Sequence, residues 1–532
     1  MPRTVTFLHT ADLHLGAPFS GLRTQSPRWA DTLLTAIPTA FQRMIDIAIT
    51  EKVDFVIIAG DIFDSARPSY ADFALFMEGL QQLAEADIPV YCCTGNHDPL
   101  SSWSAEYGTL PSNTHLFSAE APSFFTFTKH ATSHEEHEDD YTDDYADEVR
   151  GAHSRQQPAA NHASDQPSRV AANHASGVAS GSAADLIRVV LGGRGYYARS
   201  FPQDCDVSEG ITWENCCAAL GNGAEPDFAI GVIHTGLNID PTRSPVDPQE
   251  LMRRGLDYWA CGHIHQRVVI PTDAPVIAFP GCPQGRAIQE TGDHGVLLVT
   301  LAIDDRGYKA SNCVEFVPTA PVVWQRFEVD VTECETVTQI QEKIQATQFA
   351  LNSRSHAQHM ICRVRLIGTT TLHAQLTERV CQDMRHALND VYDFFFIDAL
   401  TCATHPPVNR EALLAEGLFP AVFMHTLDEK AAARATTVAE LEQEFYQRGL
   451  TLPRKLIDSL EGVMDEAETV VLDLLGDGVA SSAPILNTLS ANTPTATSAT
   501  TTASVSYPNT ATTLNTLHSN TATTPNTSGE QK

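Results

Sequence analysis

Five short motifs carry side chains able to bind a metal ion and to move a proton. Asp12-Leu13-His14 is the first, Gly60-Asp61-Ile62-Phe63-Asp64 the second and Gly95-Asn96-His97-Asp98 the third. His234 closes the run FAIGVIH, and Gly262-His263-Ile264-His265 follows YWAC. Carboxylate oxygens, an amide oxygen and imidazole nitrogens are hard and borderline donors. They suit manganese, iron or zinc rather than an all-oxygen calcium site. No cysteine stands among them, which disfavours a structural cysteine-rich zinc site. The glycines at 60, 95 and 262 let a strand turn sharply and bring ligands close. Taken singly, each motif has an ordinary explanation: a capped turn, a helix N-cap or a rim histidine. All five in this order, each at the end of a strand-like run, point to one metal site.

The elements that must position these residues alternate. Val5 to His9 reads as a strand, 37–51 as a helix, Asp54 to Ala59 as a buried strand, Tyr70 to Ala86 as a helix and Pro89 to Thr94 as a strand. That order is the signature of a parallel α/β sheet, whose ligands bind beyond the carboxyl ends of the strands. Further strands are expected at 187–191, 228–234, 258–261, 276–279 and 296–303. A second unit reads strand 322–331, helix 337–350, strand 360–367, helix 372–388, strand 393–398. Leu372, Leu376, Val380 and Met384 form the apolar stripe of its second helix.

The chain has 532 residues, enough for two to four domains at about 150 residues each. It holds no apolar run of 18 residues or more, so no conventional membrane-spanning helix is expected, and its first residues lack the pattern of a signal peptide. A cytoplasmic protein is the expectation. Twelve cysteines in this length are too dilute for a disulfide scaffold and read as reduced core thiols. Net charge is −32, which argues against gripping nucleic acid by bulk positive charge. It does not exclude a nuclease, because metal ions supply local positive charge where a phosphate must sit. Residues 129–185 contain an acidic run and a near repeat of AANHAS, and are expected to be a disordered insertion. A Thr/Ser/Asn-rich tail at 479–532 is expected to be disordered as well.

The motif set resembles the calcineurin-like metallophosphoesterase superfamily over residues 1–318. Within it, HTADLHLG (9–16), GDIFD (60–64) and GNHD (95–98) resemble the SbcD-type DNA repair exonucleases. FPGCPQGR (279–286) with the ETG at 290–292 is similar to the bacterial YhaO branch of that group. The resemblance implies a four-layer α/β/β/α sandwich, a small α+β capping domain at 319–402 and a helical, partner-binding segment at 403–478. The rival reading of that segment is packing against its own core.

The resemblance also implies roles. Asp12, His14, Asp61 and His265 hold one metal; Asp61, Asn96, His234 and His263 hold the second, with Asp61 bridging. Two such metals clamp the attacking and leaving oxygens of an in-line displacement. His97 sits beside the phosphate and stabilises or protonates the leaving oxygen, with Asp98 fixing its tautomer. Asp64 belongs either to the site or to a helix cap. Arg286 is either a phosphate contact or a structural salt bridge. Manganese is the ion the family implies, although raw affinity at such ligands favours zinc or copper. The implied function is a two-metal DNA exonuclease of repair or recombination, working with an SMC-like ATPase. A homodimer is suggested by the resemblance alone. The alternative is a metal-dependent phosphatase or small-molecule phosphodiesterase, which the acidity favours. A non-catalytic scaffold would need a lost ligand, and every such position is filled.

Overall fold

The run FVIIA is apolar on both faces of a strand, so it must be covered from both sides. In the computed structural model it is β2 (Phe55–Ala59), buried at every residue. The structure describes residues 3–19, 26–103, 109–130, 186–202, 205–240, 243–271, 276–407 and scattered positions between 411 and 448. The expected insertion at 129–185 lies outside these but for its first two residues. So do the tail at 479–532 and most of the segment at 403–478.

β2 lies between β1 (Arg3–Thr10) and β3 (Val90–Cys93), parallel to both. With β4 (Thr114–Leu116), β11 (Gly295–Ile303) and β12 (Cys313–Pro318) they form a six-stranded sheet ordered β12-β11-β1-β2-β3-β4. β11 runs antiparallel to β1. The second six-stranded sheet is ordered β5-β6-β7-β8-β10-β9. It comprises β5 (Ser123–His130), β6 (Leu186–Arg194), β7 (Phe228–His234), β8 (Tyr258–Gly262), β9 (Val268–Ile270) and β10 (Ile277–Phe279).

Side-chain alternation decides what each sheet face meets. Phe7, Phe55, Ile57, Ile230, Val232, Tyr258 and Ala260 fill the space between the sheets. Leu8, Val56 and Ile58 point the other way, onto α1 (Pro27–Thr50) and α2 (Tyr70–Glu85). Trp259 and Cys261 face a third core with Cys216 of α3 (Trp213–Leu220) and Leu251 of α4 (Pro248–Arg253). The expected four layers are therefore present.

Three expectations change. α1 begins ten residues before the expected start: Ser26 caps it, Pro27 occupies its first turn and Pro38 lies inside. A proline tolerated in a helix interior misplaces a start read from sequence. The helix expected from Leu372 begins instead at Glu378 as α6 (Glu378–Asn389), where Thr377 accepts from Val380 N. Leu372 and Leu376 are buried beside a single 3-10 turn, so the apolar stripe is real but only its second half is α-helical. The cysteines are all free and most are buried, but Cys205, Cys313 and Cys402 are exposed.

The second unit is a three-stranded sheet with parallel neighbours, β13 (Val322–Asp330), β14 (His359–Thr369) and β15 (Phe395–His405). α6 and α5 (Val337–Asn352) contribute Ile340, Ile344, Cys381, Met384 and Leu388 to its core. Val322, Trp324, Ile361 and Phe396 pack with Trp29 and Leu33 of α1 and with Ile288. The helix Phe419–Ala432 follows, with Phe419 and Val422 exposed. Among the described residues, no helix is long and apolar enough to cross a membrane.

The two sheets come into close contact where β2 and β8 end. A Cβ on Gly262 would collide with the carbonyl oxygen of Ala59 and touch Ala11. Gly262→Ala is expected to lower unfolding free energy by about 1–3 kcal/mol, the usual cost of overpacking. Urea denaturation checks it. An unchanged midpoint would show that the two sheets can move apart there.

Candidate metal centre

All five motifs lie at carboxyl ends of strands, at the same end of the two sheets. The turn after β1 is sewn to the turn after β2: Asp12 N donates to Gly60 O (3.0 Å), His14 N to Asp61 O (3.1 Å) and Leu15 N to Ile62 O (2.9 Å). The backbone is strained there. Asp12, His14, Asp61 and His263 have φ of 53°, 47°, 49° and 105°, conformations that L-residues adopt at a cost of about 1–3 kcal/mol each. Such strain persists only where surrounding contacts over-determine it. Gly60 also has positive φ, and a Cβ there would strike the ring of His234.

Asp61 occupies the middle. It is buried, its Oδ1 accepts from His97 N at 2.8 Å, and its Oδ2 lies 3.4 Å from His234 Nε2 and 3.8 Å from His14 Nε2. Burial pushes its carboxyl toward the neutral form. The charges of His234, His14 and His97 and the hydrogen bond to His234 outweigh this and hold it below the usual carboxylate range. Burial likewise opposes protonation of His234, and Asp61 overrides it, raising that imidazole to about 9.

Two groups of donors converge on either side of Asp61. Asp12, His14 and His265 offer ligand atoms within 4.8 Å of one another, and so do Asp61, His234 and His263. Asn96 joins the second group, its Oδ1 3.1 Å from His234 Nε2. The nitrogens on the far sides of the rings decide what the near sides present. His14 Nδ1 faces Asp64 Oδ1 at 3.1 Å, His265 Nδ1 faces Glu290 Oε1 at 2.6 Å and His234 Nδ1 faces Ala59 O at 3.0 Å. These oxygens only accept, so each Nδ1 carries the proton. In the neutral rings each Nε2 then presents a lone pair. His14 Nε2 and His265 Nε2 point at each other across 3.1 Å, and His234 Nε2 points at two oxygens. Lone pair against lone pair is repulsive unless a proton or a cation stands between. The donor set therefore fits divalent cations, with carboxylate and carbonyl acceptors orienting the imidazoles. His263 Nε2 faces Asp240 Oδ2 at 3.0 Å, and its backbone N donates to both oxygens of Asp12 (3.1 and 3.0 Å).

The remaining expected residues divide. His97 is beside the centre, part-exposed, edge-on to His14 at 4.8 Å, with Nδ1 2.8 Å from the carbonyl oxygen of Asp64. Asp98 is not its partner. Asp98 is buried and accepts from Gly95 N (2.8 Å), Ile62 N (2.9 Å) and Phe63 N (3.3 Å). Burial and repulsion from Asp61 push its carboxyl up to about 8, against the hydrogen bonds from Gly95 N and Phe63 N. It pins two turns together, and its adjacency to His97 in sequence does not become contact. Asp64 caps no helix, since Ser69 and Asp72 form the capping box of α2. It accepts instead from His14 and, at 2.7 Å, from Arg286 Nη1. Arg286 is thus in the salt bridge, with Nη2 3.9 Å from Glu290 Oε1. Glu290 and Asp240 join the centre without belonging to any of the five motifs. The first lies in the motif ETG, which hinted at it; the second has no local signal. Tyr196, also unanticipated, stands edge-on to His234 at 5.6 Å.

The family of calcineurin-like phosphoesterases matches residues 5–267, and the middle domain of the metallophosphoesterase YhaO matches 324–405. The chain carries a calcineurin-like metallophosphoesterase domain and a YhaO-type middle domain. It is a metal-dependent hydrolase of phosphoester bonds. Over 347 residues, 64% of this chain and 67% of the relative, it is 29% identical to the "Uncharacterized metallophosphoesterase YhaO" of Bacillus subtilis. It is 37% identical to the "DNA double-strand break repair protein Mre11" of Methanosarcina acetivorans over 18% of this chain and 15% of that one. For the Mre11 of Methanococcus maripaludis the figures are 39%, 17% and 23%. The chain thus spans less than a quarter of either Mre11 protein. Among solved structures, TT1561 of Thermus thermophilus aligns with 60% of this chain and all of that chain, at 11% identity and a TM-score of 0.28.

Asp98 of the metallophosphoesterase domain accepts from three backbone donors in a buried setting. Asp98→Ala is expected to lower unfolding free energy by about 2–4 kcal/mol, in metal-free protein too. Chemical denaturation with and without a chelator reads it. A loss of activity with full stability would restore the partnership with His97.

Proposed function

We propose that the chain is a two-metal phosphodiesterase acting on DNA, in repair or recombination. The observation that carries it is the pair of donor groups meeting at Asp61, with His97 part-exposed beside them. Asp12, His14, Asp61 and His265 would hold one ion, and Asp61, Asn96, His234 and His263 the other. Two divalent ions, manganese in this reading, supply Lewis acidity toward a phosphoryl oxygen and acidify water. The chain's own residues do the rest. Asp61 is the shared carboxylate, fixed by His97 N and by the turn that Gly60 begins. His97 donates through Nδ1 to the carbonyl of Asp64, which leaves Nε2 to take up a second proton and pass it to a leaving oxygen.

DNA as substrate is supported by the similarity to the Mre11 proteins over about a fifth of this chain. A partner resembling an SMC-like ATPase is part of this reading, docked through the segment that includes Phe419–Ala432. The exposed Phe419 and Val422 support that docking. We place the enzyme in the cytoplasm. A small phosphodiester or monoester is the second reading, favoured by the net charge of −32.

The test offers end-labelled DNA and an aryl phosphodiester to the purified chain with manganese. Degradation of DNA is expected, and His97→Ala is expected to abolish it with metal content unchanged. Near-normal rates in that variant would remove the proton-carrying role from His97. Turnover of the aryl ester with DNA untouched, even after an SMC-like ATPase is added, would move the assignment to the second reading. Asp61→Ala is expected to lose both ions by elemental analysis. Two ions retained per chain would rule out a shared carboxylate.

A further inference from the structure

We propose that Asp64, Arg286 and Glu290 form a clamp that fixes the tautomers of His14 and His265 and so aims both Nε2 atoms at one divalent cation. The inference rests on the two-ion reading above. A neutral imidazole holds one proton, and the partner on one nitrogen decides what the other presents. His14 Nδ1 meets Asp64 Oδ1 at 3.1 Å and His265 Nδ1 meets Glu290 Oε1 at 2.6 Å. Both partners are carboxylates, so both protons belong on Nδ1.

One residue ties the two carboxylates together. Arg286 Nη1 donates to Asp64 Oδ1 at 2.7 Å, and its backbone N donates to Glu290 Oε2 at 2.5 Å. Its Nη2 lies 3.3 Å from His265 Nδ1, a donor facing a donor, and the shorter 2.6 Å contact with Glu290 Oε1 is the one that places the proton. The chain His14–Asp64–Arg286–Glu290–His265 is thus continuous. It joins the turn after β1 to the turn after β8 through a loop belonging to neither. Without it, either ring is free to carry its proton on Nε2 and to present a hydrogen where a cation needs a lone pair. Asp64, Arg286 and Glu290 are positioning residues in this role.

The loop that bears Arg286 and Glu290 is itself held by the middle domain. Trp324 Nε1 donates to Gly285 O at 3.0 Å and Arg326 Nε to Ile288 O at 3.1 Å. Gln284 donates to Val322 O at 2.8 Å and accepts from Val322 N at 3.3 Å. The clamp therefore has a rigid backing on β13.

The test is calorimetric titration of the full, metal-stripped chain with Mn²⁺. Wild-type protein is expected to take up two ions. Glu290→Ala is expected to weaken one of them by about 10–100-fold and to leave the other unchanged, the usual scale for an orienting partner of a metal ligand. Glu290→Gln keeps an oxygen for the Nδ1–H and is expected to lose less than Glu290→Ala. The clamp is overturned if Glu290→Ala leaves both affinities unchanged, weakens both alike, or is matched by Glu290→Gln. Melting of the metal-free variants reports folding. Should Glu290→Ala fail to fold, Arg286→Ala carries the same expectation for the same ion, and unchanged binding there overturns the clamp. Wild-type protein that takes up a single ion overturns the two-ion reading alone, and the clamp is then judged on that ion. Uptake of none overturns both.

Discussion

A carboxylate buried between two sheets is the constraint on which the structure turns. Asp61 is taken out of water at the point where β2 ends, and an uncompensated charge there is costly. Residues far apart in sequence converge on it: the backbone N of His97 donates to it, and the Nε2 atoms of His234 and His14 face it, where a proton or cation completes the compensation. Satisfying it fixes where three strands of one sheet and one of the other must terminate. The close-approach glycines follow from the same demand. A Cβ on Gly95 would collide with the Asp61 carboxylate, and one on Gly60 with His234. The positive φ angles of Asp12, His14, Asp61 and His263 are the local cost of that convergence; the ladder from Asp12 and His14 to Gly60 and Asp61 holds the first three, and the carboxylate of Asp12 holds His263 N.

Much of the centre is readable in the sequence, because ligand types and turn glycines sit close together within each motif. Apolar runs such as FVIIA and FAIGVIH announce the strands that carry them. The parts that escape are those where a side chain is defined by a partner with no sequence relation to it. Glu290 and Asp240 are unremarkable acids until folding brings His265 and His263 to them. Asp98 illustrates the converse: adjacency to His97 suggests a pair, but the side chain turns toward the N–H groups of Gly95, Ile62 and Phe63. Element ends fail for a similar reason. The apolar stripe reads as a helix only from 37 although α1 begins at Pro27, and Leu372 and Leu376 read as helix although Thr377 caps α6 after them. In both places apolar burial is compatible with more than one backbone course, and capping decides.

The middle domain is joined to the centre by more than linkage in sequence. Val322, Trp324, Ile361 and Phe396 bury apolar surface against Trp29 and Leu33, a non-directional attraction that sets proximity but not register. Register comes from the hydrogen bonds of Gln284 to Val322 and of Trp324 to Gly285. These fall on the segment between β10 and β11 that carries Arg286. A shift of β13 along its own axis would thus be felt first at the guanidinium, which lies against the imidazole of His265 and reaches that of His14 through Asp64.

The acidity of the chain and an anionic substrate are reconciled by distance. At physiological ionic strength the screening length is about 8 Å, so most surface acids do not act on a phosphate held at the strand ends. What acts there is the local set: Asp12, Asp61, Asp64, Asp240 and Glu290 lie around the centre, and Arg286 is paired with Asp64 and Glu290 among them. That set is negative, and Arg286 is already engaged by Asp64. The side chains alone would repel a phosphodiester. Divalent ions held there would cancel the excess, which would make ion binding a precondition of substrate binding. In this respect a net charge of −32 is no obstacle to acting on a phosphoester.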